Sequence, residues 1–187
     1  MKKVLVLAAL TMLAAPAVLA DEVSDALSAA QSAYEQGNVA EAKRQTDIAT
    51  GYLAAKMAEK LKSFLPAALE GWNATDGEAS ALPAALLGGG MTANRRYDKG
   101  SSSVDLTIMA DSPMMSMFAM YLANPQMLTM TGGQLKSVNG QQAVVTPEGE
   151  VQMLIANRFF VTISGSASVD EKLAYAGAID AAGLATF

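Results

Sequence analysis

The apolar residues of this chain change their repeat once, near Thr92, and that switch narrows the folds open to it. Before it, apolar side chains recur every three or four positions, the period of an amphipathic helix. After it they alternate, the period of a strand with one buried face. Residues 23–36 read as a helix with Leu27, Ala30 and Tyr34 on one face. Gly37-Asn38 stops it, because both residues tolerate left-handed backbone. A longer helix is expected over residues 39–63, with Ile48, Tyr52 and Ala55 in one stripe and Leu53, Met57, Leu61 and Phe64 in the next. Its charges, among them Glu41, Lys43, Arg44, Asp47, Lys56, Glu59, Lys60 and Lys62, mix both signs as a solvated face does. The two helices are expected to fold back as an antiparallel hairpin.

Pro66, Gly71, Gly77, Pro83 and Gly88-Gly89-Gly90 punctuate residues 65–91, which read as a linker or wrapping loop anchored by Trp72. The glycine run lacks the Lys-Ser or Lys-Thr that follows it in a phosphate-binding loop, so it reads as a flexible turn. Strands over 92–98 and 103–109 meet at Lys99-Gly100, and Val104, Leu106 and Ile108 point one way. Asp111 or Ser112 is placed to cap a helix that begins at Pro113 and runs to Ala123, where Asn124-Pro125 interrupts it. Strands over 134–138 and 141–146 are joined by Asn139-Gly140, the strongest two-residue hairpin signal. Pro147-Glu148-Gly149 turns the chain again, and strands over 150–155 and 158–164 close around Ala156-Asn157. Ser168-Val169-Asp170-Glu171 is a capping box that opens a last helix to about Asp180.

The order is αα followed by ββαββββα. Short hairpin connections imply an α+β fold with an antiparallel sheet of about six strands and helices on one face. Leu106, Ile108, Val144, Met153, Ile155, Phe160, Ile163, Leu173 and Ile179 are the expected core. The expected division is a signal peptide over 1–20, a helical hairpin over 21–64, the linker over 65–91 and the α+β domain over 92–187.

The signal peptide rests on Lys2 and Lys3, the apolar run from Val4 to Leu13, and small residues leading to Val18-Leu19-Ala20, with a cut after Ala20. That run is shorter than the ~20 residues a spanning helix needs. A periplasmic location follows as the expectation, with no membrane span once the leader is gone.

The residue inventory excludes several chemistries. With no cysteine and no histidine, the chain offers no disulfide, no Cys nucleophile, no Ser-His-Asp triad and no zinc site built on those ligands. A formal net charge of −5 argues against nucleic acid as a partner. Asp105, Asp111 and Asp180 are the acids nearest apolar segments, and none is placed to share a substrate with another. Ser101-Ser102-Ser103 is turn material without the Gly-x-Ser-x-Gly of a nucleophile elbow. The chain reads as a non-enzyme with no cofactor.

Seven methionines fall between Met109 and Met130. Met117 with Met120, and Met127 with Met130, have the i, i+3 spacing that puts two thioethers on one helix face. Thioethers are soft ligands for Cu(I), and methionine equally fills core gaps or makes an adaptable apolar surface. Between Pro113 and Ala123 the polar groups are Ser116 and the hydroxyl of Tyr121. A helix apolar all round is either fully buried or shows one side to a partner. Met114, Met115, Met117, Phe118, Met120 and Tyr121 are therefore the candidate contact surface, for an envelope protein or a second copy. Burial under the helical hairpin or the 81–91 loop is the competing expectation. A small apolar or lipid-like ligand is the alternative occupant, with Cu(I) at Met117, Met120, Met127 and Met130 ranked behind it.

Two resemblances bear on this. Ala30, Gly37, Val39, Ala42 and Ala49 match the small and apolar positions of one tetratricopeptide unit, which the hairpin resembles over about 20 residues; no second copy follows, and solenoids need about three. The chain past its leader also resembles an uncharacterised family of exported proteobacterial proteins. The matching segments, in order, are Ala33-Tyr34-Glu35-Gln36-Gly37-Asn38, Phe64-Leu65-Pro66 with Gly71-Trp72, Gly88-Gly89-Gly90, and Tyr97-Asp98-Lys99-Gly100. Ala110-Asp111-Ser112-Pro113, Asn124-Pro125, Ala156-Asn157-Arg158-Phe159 and Ala178-Ile179-Asp180 continue the match. The resemblance implies a periplasmic location and a shared architecture, and it carries over no activity or site residue.

Overall fold

The computed structural model describes residues 21–82, 89–113 and 115–187. The expected signal peptide, Met114 and residues 83–88 of the expected linker lie outside them. The chain divides into two compact units at Ala49/Thr50. No helix among the described residues is long and apolar enough to cross a membrane.

The first unit holds helix α1 (Glu22–Glu35) and the start of helix α2 (Val39–Lys62). Asp21 caps α1, its carboxylate accepting from the Ser24 backbone N–H at 3.0 Å. Asn38 accepts from the Glu41 N–H at 3.2 Å and so opens α2. The buried stripe of α1 is Val23, Ala26, Ala30 and Ala33. This corrects the expected Leu27-Ala30-Tyr34 face: Leu27 and Tyr34 are exposed, and the buried face is made almost entirely of alanine. A helical period fixes the spacing of a face but not which of two neighbouring faces is buried, and here the buried one is the stripe of Val23 and the three alanines. The charges of α2 form exposed pairs, Lys43–Asp47, Arg44–Glu41 and Lys62–Glu59, each at 2.6 Å, and such pairs contribute little.

The second unit is an antiparallel sheet of eight strands with helices. Strands β1 (Asn73–Ala74) and β2 (Glu78–Ala81) both pair with β3 (Met91–Lys99), which pairs with β4 (Ser102–Ala110). Next to β4 lies β8 (Phe159–Ser164), then β7 (Val151–Ile155), β6 (Gln141–Val145) and β5 (Gln134–Val138) at the far edge. The sheet thus has two more strands than the six expected, because two short pieces of the linker dock on the outer edge of β3. Neither is long enough to show an alternating pattern in sequence. Helices α3 (Met115–Leu122) and α4 (Pro125–Met130) carry the chain from β4 to β5; α5 (Val169–Gly177) and α6 (Ala181–Ala185) close it.

Hairpin turns set the register. Asn139 and Gly140 take φ of 49° and 79°, the two left-handed positions of a type I′ turn. Ala156 and Asn157 repeat that geometry at 52° and 53°, although Ala156 carries a Cβ that such backbone disfavours. The capping box at Ser168 is present, with Ser168 and Glu171 each accepting from the other's backbone N–H.

One face of the sheet carries the main core. Val104, Leu106, Ile108, Met153, Ile155, Phe159, Val161 and Ile163 point into it and meet Leu61, Trp72, Tyr175, Ile179 and Leu184. Trp72 is the anchor expected, its ring edge-on to Tyr175 at 5.4 Å. Tyr97 lies 4.3 Å from Tyr175 and donates its hydroxyl to the Pro66 carbonyl at 2.7 Å. Burial pushes the Tyr97 phenol up to about 12. Arg95 also turns inward and donates to the Leu65 and Pro66 carbonyls just past the end of α2, where a cation offsets the helix dipole. Lys172 is buried too, and its ammonium donates to the Gly149 carbonyl at 2.8 Å, tying α5 to the β6–β7 turn.

Candidate functional site

The opposite face of the sheet is where the methionine-rich segment sits. Along β8 the residues alternate, so Phe160 points away from the core side that takes Phe159 and Val161. Its neighbours across the sheet are Met109 on β4 and Leu154 on β7, and Val144 lies opposite Gln152 one row over. Val144 and Phe160 are buried as expected, but on this second face. Helices consequently cover both faces of the sheet, rather than one.

Local chemistry explains the two short helices. Asp111 has a φ of 54°, and its carboxylate is gripped by the forked guanidinium of Arg158 at 2.6 and 2.7 Å. That contact holds the Asp111 carboxyl below its ordinary range and raises the Arg158 guanidinium. Arg158 also donates to the Phe187 main-chain oxygen at 3.1 Å. Asp111, one of the two expected caps, is therefore held in an ion pair, and α3 runs from Met115, whose N–H donates to the carbonyl of Ser112, the other one, at 3.0 Å. Asn124 accepts from the N–H groups of Gln126 and Met127 at 3.1 and 3.2 Å, capping α4 with Pro125 in the first helical position. Tyr121 and Thr131 share a hydroxyl contact at 3.2 Å that ties α3 to the end of α4.

Phe118 anchors α3. Its ring lies flat on Phe160, with centroids 3.9 Å apart and planes within 1°. Leu128 anchors α4 and is almost fully buried; the Leu128 carbonyl accepts from Gly133 at 2.7 Å. Met115 is buried as well. On the outward side Met117 is 52% exposed, Met120 64%, Met127 41% and Met130 88%. From Ser112 to Leu135 the sequence has no charged side chain, with Asp111 and Lys136 at its two ends.

Two openings flank α3. A groove of about 370 Å³ is lined by Met117, Phe118, Met120, Tyr121, Met127 and Gln152. A smaller cavity of about 140 Å³ lies among Ala119, Leu122, Ala123, Val144, Leu154 and the polar Gln142 and Asn157. Of the expected contact residues, Met117, Phe118, Met120 and Tyr121 come together in the groove. Met115 belongs to the packing instead, because it falls on the sheet side of the helix, and Met114 lies outside the described residues. For Cu(I), the structure gathers Met117, Met120 and Met127 on one groove and leaves Met130 out. Gln152 was missed; its signal was the alternation of β7, which turns it away from Val151 and Met153.

The acids have structural partners. Asp105 pairs with Arg96 at 3.2 Å, and Asp180 accepts from the Gly183 N–H at 2.9 Å at the start of α6. Among the described residues no group of three or more His, Cys, Asp or Glu side chains is arranged to hold a metal ion. The groove offers thioethers, the aromatic residues Phe118 and Tyr121 and one amide, which suits apolar contact. Comparison with known proteins returns no matching family model, no matching curated protein and no matching solved structure.

Proposed function

We propose that this is an exported, periplasmic, non-enzymatic interaction protein whose α3–α4 hairpin is the surface that engages a protein partner. The observation that carries the reading is the division of α3 into a packed side, Phe118 on Phe160, and an uncharged outward side at Met117 and Met120. Exposed apolar patches of this kind mark interaction sites, and flexible methionine side chains adapt to the partner's shape. The partner is an envelope protein or a second copy, and the same experiment separates the two. A photo-crosslinking residue at position 120 is expected to give one defined adduct in intact cells, absent when the label sits at Lys43 on the charged face of α2. Adduct yields at 120 no higher than at position 43 would end the proposal.

A small apolar ligand is the second reading, favoured by the 140 Å³ cavity between α3 and the sheet. It calls for a ligand recovered by solvent extraction and mass spectrometry of the purified protein.

A further inference from the structure

We infer that the α3–α4 groove is also a three-thioether site for a soft monovalent cation, Cu(I). Sequence spacing pairs Met117 with Met120 and Met127 with Met130, but it cannot bring one pair to the other. The turn at Asn124 does so in part, since α4 folds back and Met127 lines the same groove as Met117 and Met120. Three methionines from two helices line one space, while Met130 is not among its lining and is largely in solvent.

The chemistry of the donors selects the ion. A thioether is neutral and needs no deprotonation, so the site works in a chain without cysteine or histidine. Calcium and magnesium require several oxygen ligands, and no carboxylate lines the groove. Zinc prefers thiolate, imidazole or carboxylate, none of which lines it. Methionine has three rotatable bonds, so three side chains on an open groove can turn their sulfurs inward around an ion. Tyr121 lines the same groove, and an aromatic ring face attracts a cation. The net charge of −5 adds a long-range attraction for cations.

The test is an anaerobic titration of the purified protein with Cu(I) against bicinchoninate, repeated with Ag(I) as a redox-stable probe. One equivalent per chain is expected. Met117→Leu, Met120→Leu and Met127→Leu are each expected to weaken binding by at least about 10-fold, the loss that even an outer-shell partner of a metal brings. Met130→Leu is expected to leave affinity unchanged. Leucine keeps volume and hydrophobicity, so these variants retain the fold. The partner reading is scored separately, by the crosslink yield from position 120, which requires no metal. Absence of saturable binding, or a loss with Met130→Leu equal to that with Met120→Leu, overturns the site.

Discussion

Cutting α3 on its two sides should give two different answers. Full burial of a large apolar side chain stabilises by roughly 1.5–3 kcal/mol. Met120 keeps 64% of its surface exposed and Met117 keeps 52%, so each realises only part of that. Met117→Ser and Met120→Ser should each cost under about 1 kcal/mol, including the small loss of helix propensity. Phe118 lies on Phe160 with ring centroids 3.9 Å apart. A buried Phe→Ala change costs about 3–5 kcal/mol, of which a stacked pair supplies up to about 1.5. Phe118 is only partly buried, so Phe118→Ala should cost about 2–3 kcal/mol. Urea unfolding followed through Trp72, the one tryptophan of the chain, reads the same unit, because that ring packs on Tyr175 in its core. Should Met120→Ser cost as much as Phe118→Ala, the outward side is covered and the division of α3 is wrong.

Other perturbations have equally definite signs. Gly165 has a φ of 105°, and a Cβ there would strike the Ser103 carbonyl, so Gly165→Ala should lose at least about 2 kcal/mol in the same melt. Ala156→Asn should gain about 0.5–1 kcal/mol, because asparagine tolerates the left-handed first position of a type I′ turn that alanine resists. Asp111 is held below its ordinary pKa, first by its hydrogen bonds to Arg158. Its contribution is therefore complete above the unfolded value of about 3.9 and fades as pH falls through the lower folded one. In acid titrations Asp111→Asn should lack that part of the stability loss while being weaker at neutral pH. Tyr97 behaves in the opposite sense. Its phenol is raised to about 12, so stability holds below the unfolded value of about 10 and drops as pH rises between the two. Tyr97→Phe should flatten that alkaline limb.

Short-range signals were the legible ones. Asn139-Gly140 and Ala156-Asn157 lie at the turns assigned to them, the β3–β4 turn falls one residue later than assigned, at Gly100-Ser101, and the Ser168 capping box opens α5, because each depends on neighbours in sequence. The α1 stripe failed because Leu27 and Tyr34 fit a helical period as well as the neighbouring face does, and the period alone does not say which face is buried. Coverage of the second sheet face was written in the strands without being read. Phe159-Phe160-Val161 and Val144-Val145 are apolar on both faces, which a sheet packed on one side does not need. The site was half legible for the same reason. Composition marked the segment from Met109 to Met130, but which methionines face outward depends on Phe118 meeting Phe160, a contact between residues far apart in sequence.

Solvent access to the methionine methyl groups tests the outward side of α3–α4 most directly. With ¹³C-methyl methionine and a soluble paramagnetic agent, an uncovered flank predicts strong broadening of Met117, Met120, Met127 and Met130 in the monomer, with Met91, Met115 and Met153 protected. Protection of Met117 and Met120 at the level of Met153 would mean that the chain covers its own apolar helix, and the interaction surface proposed here would not exist.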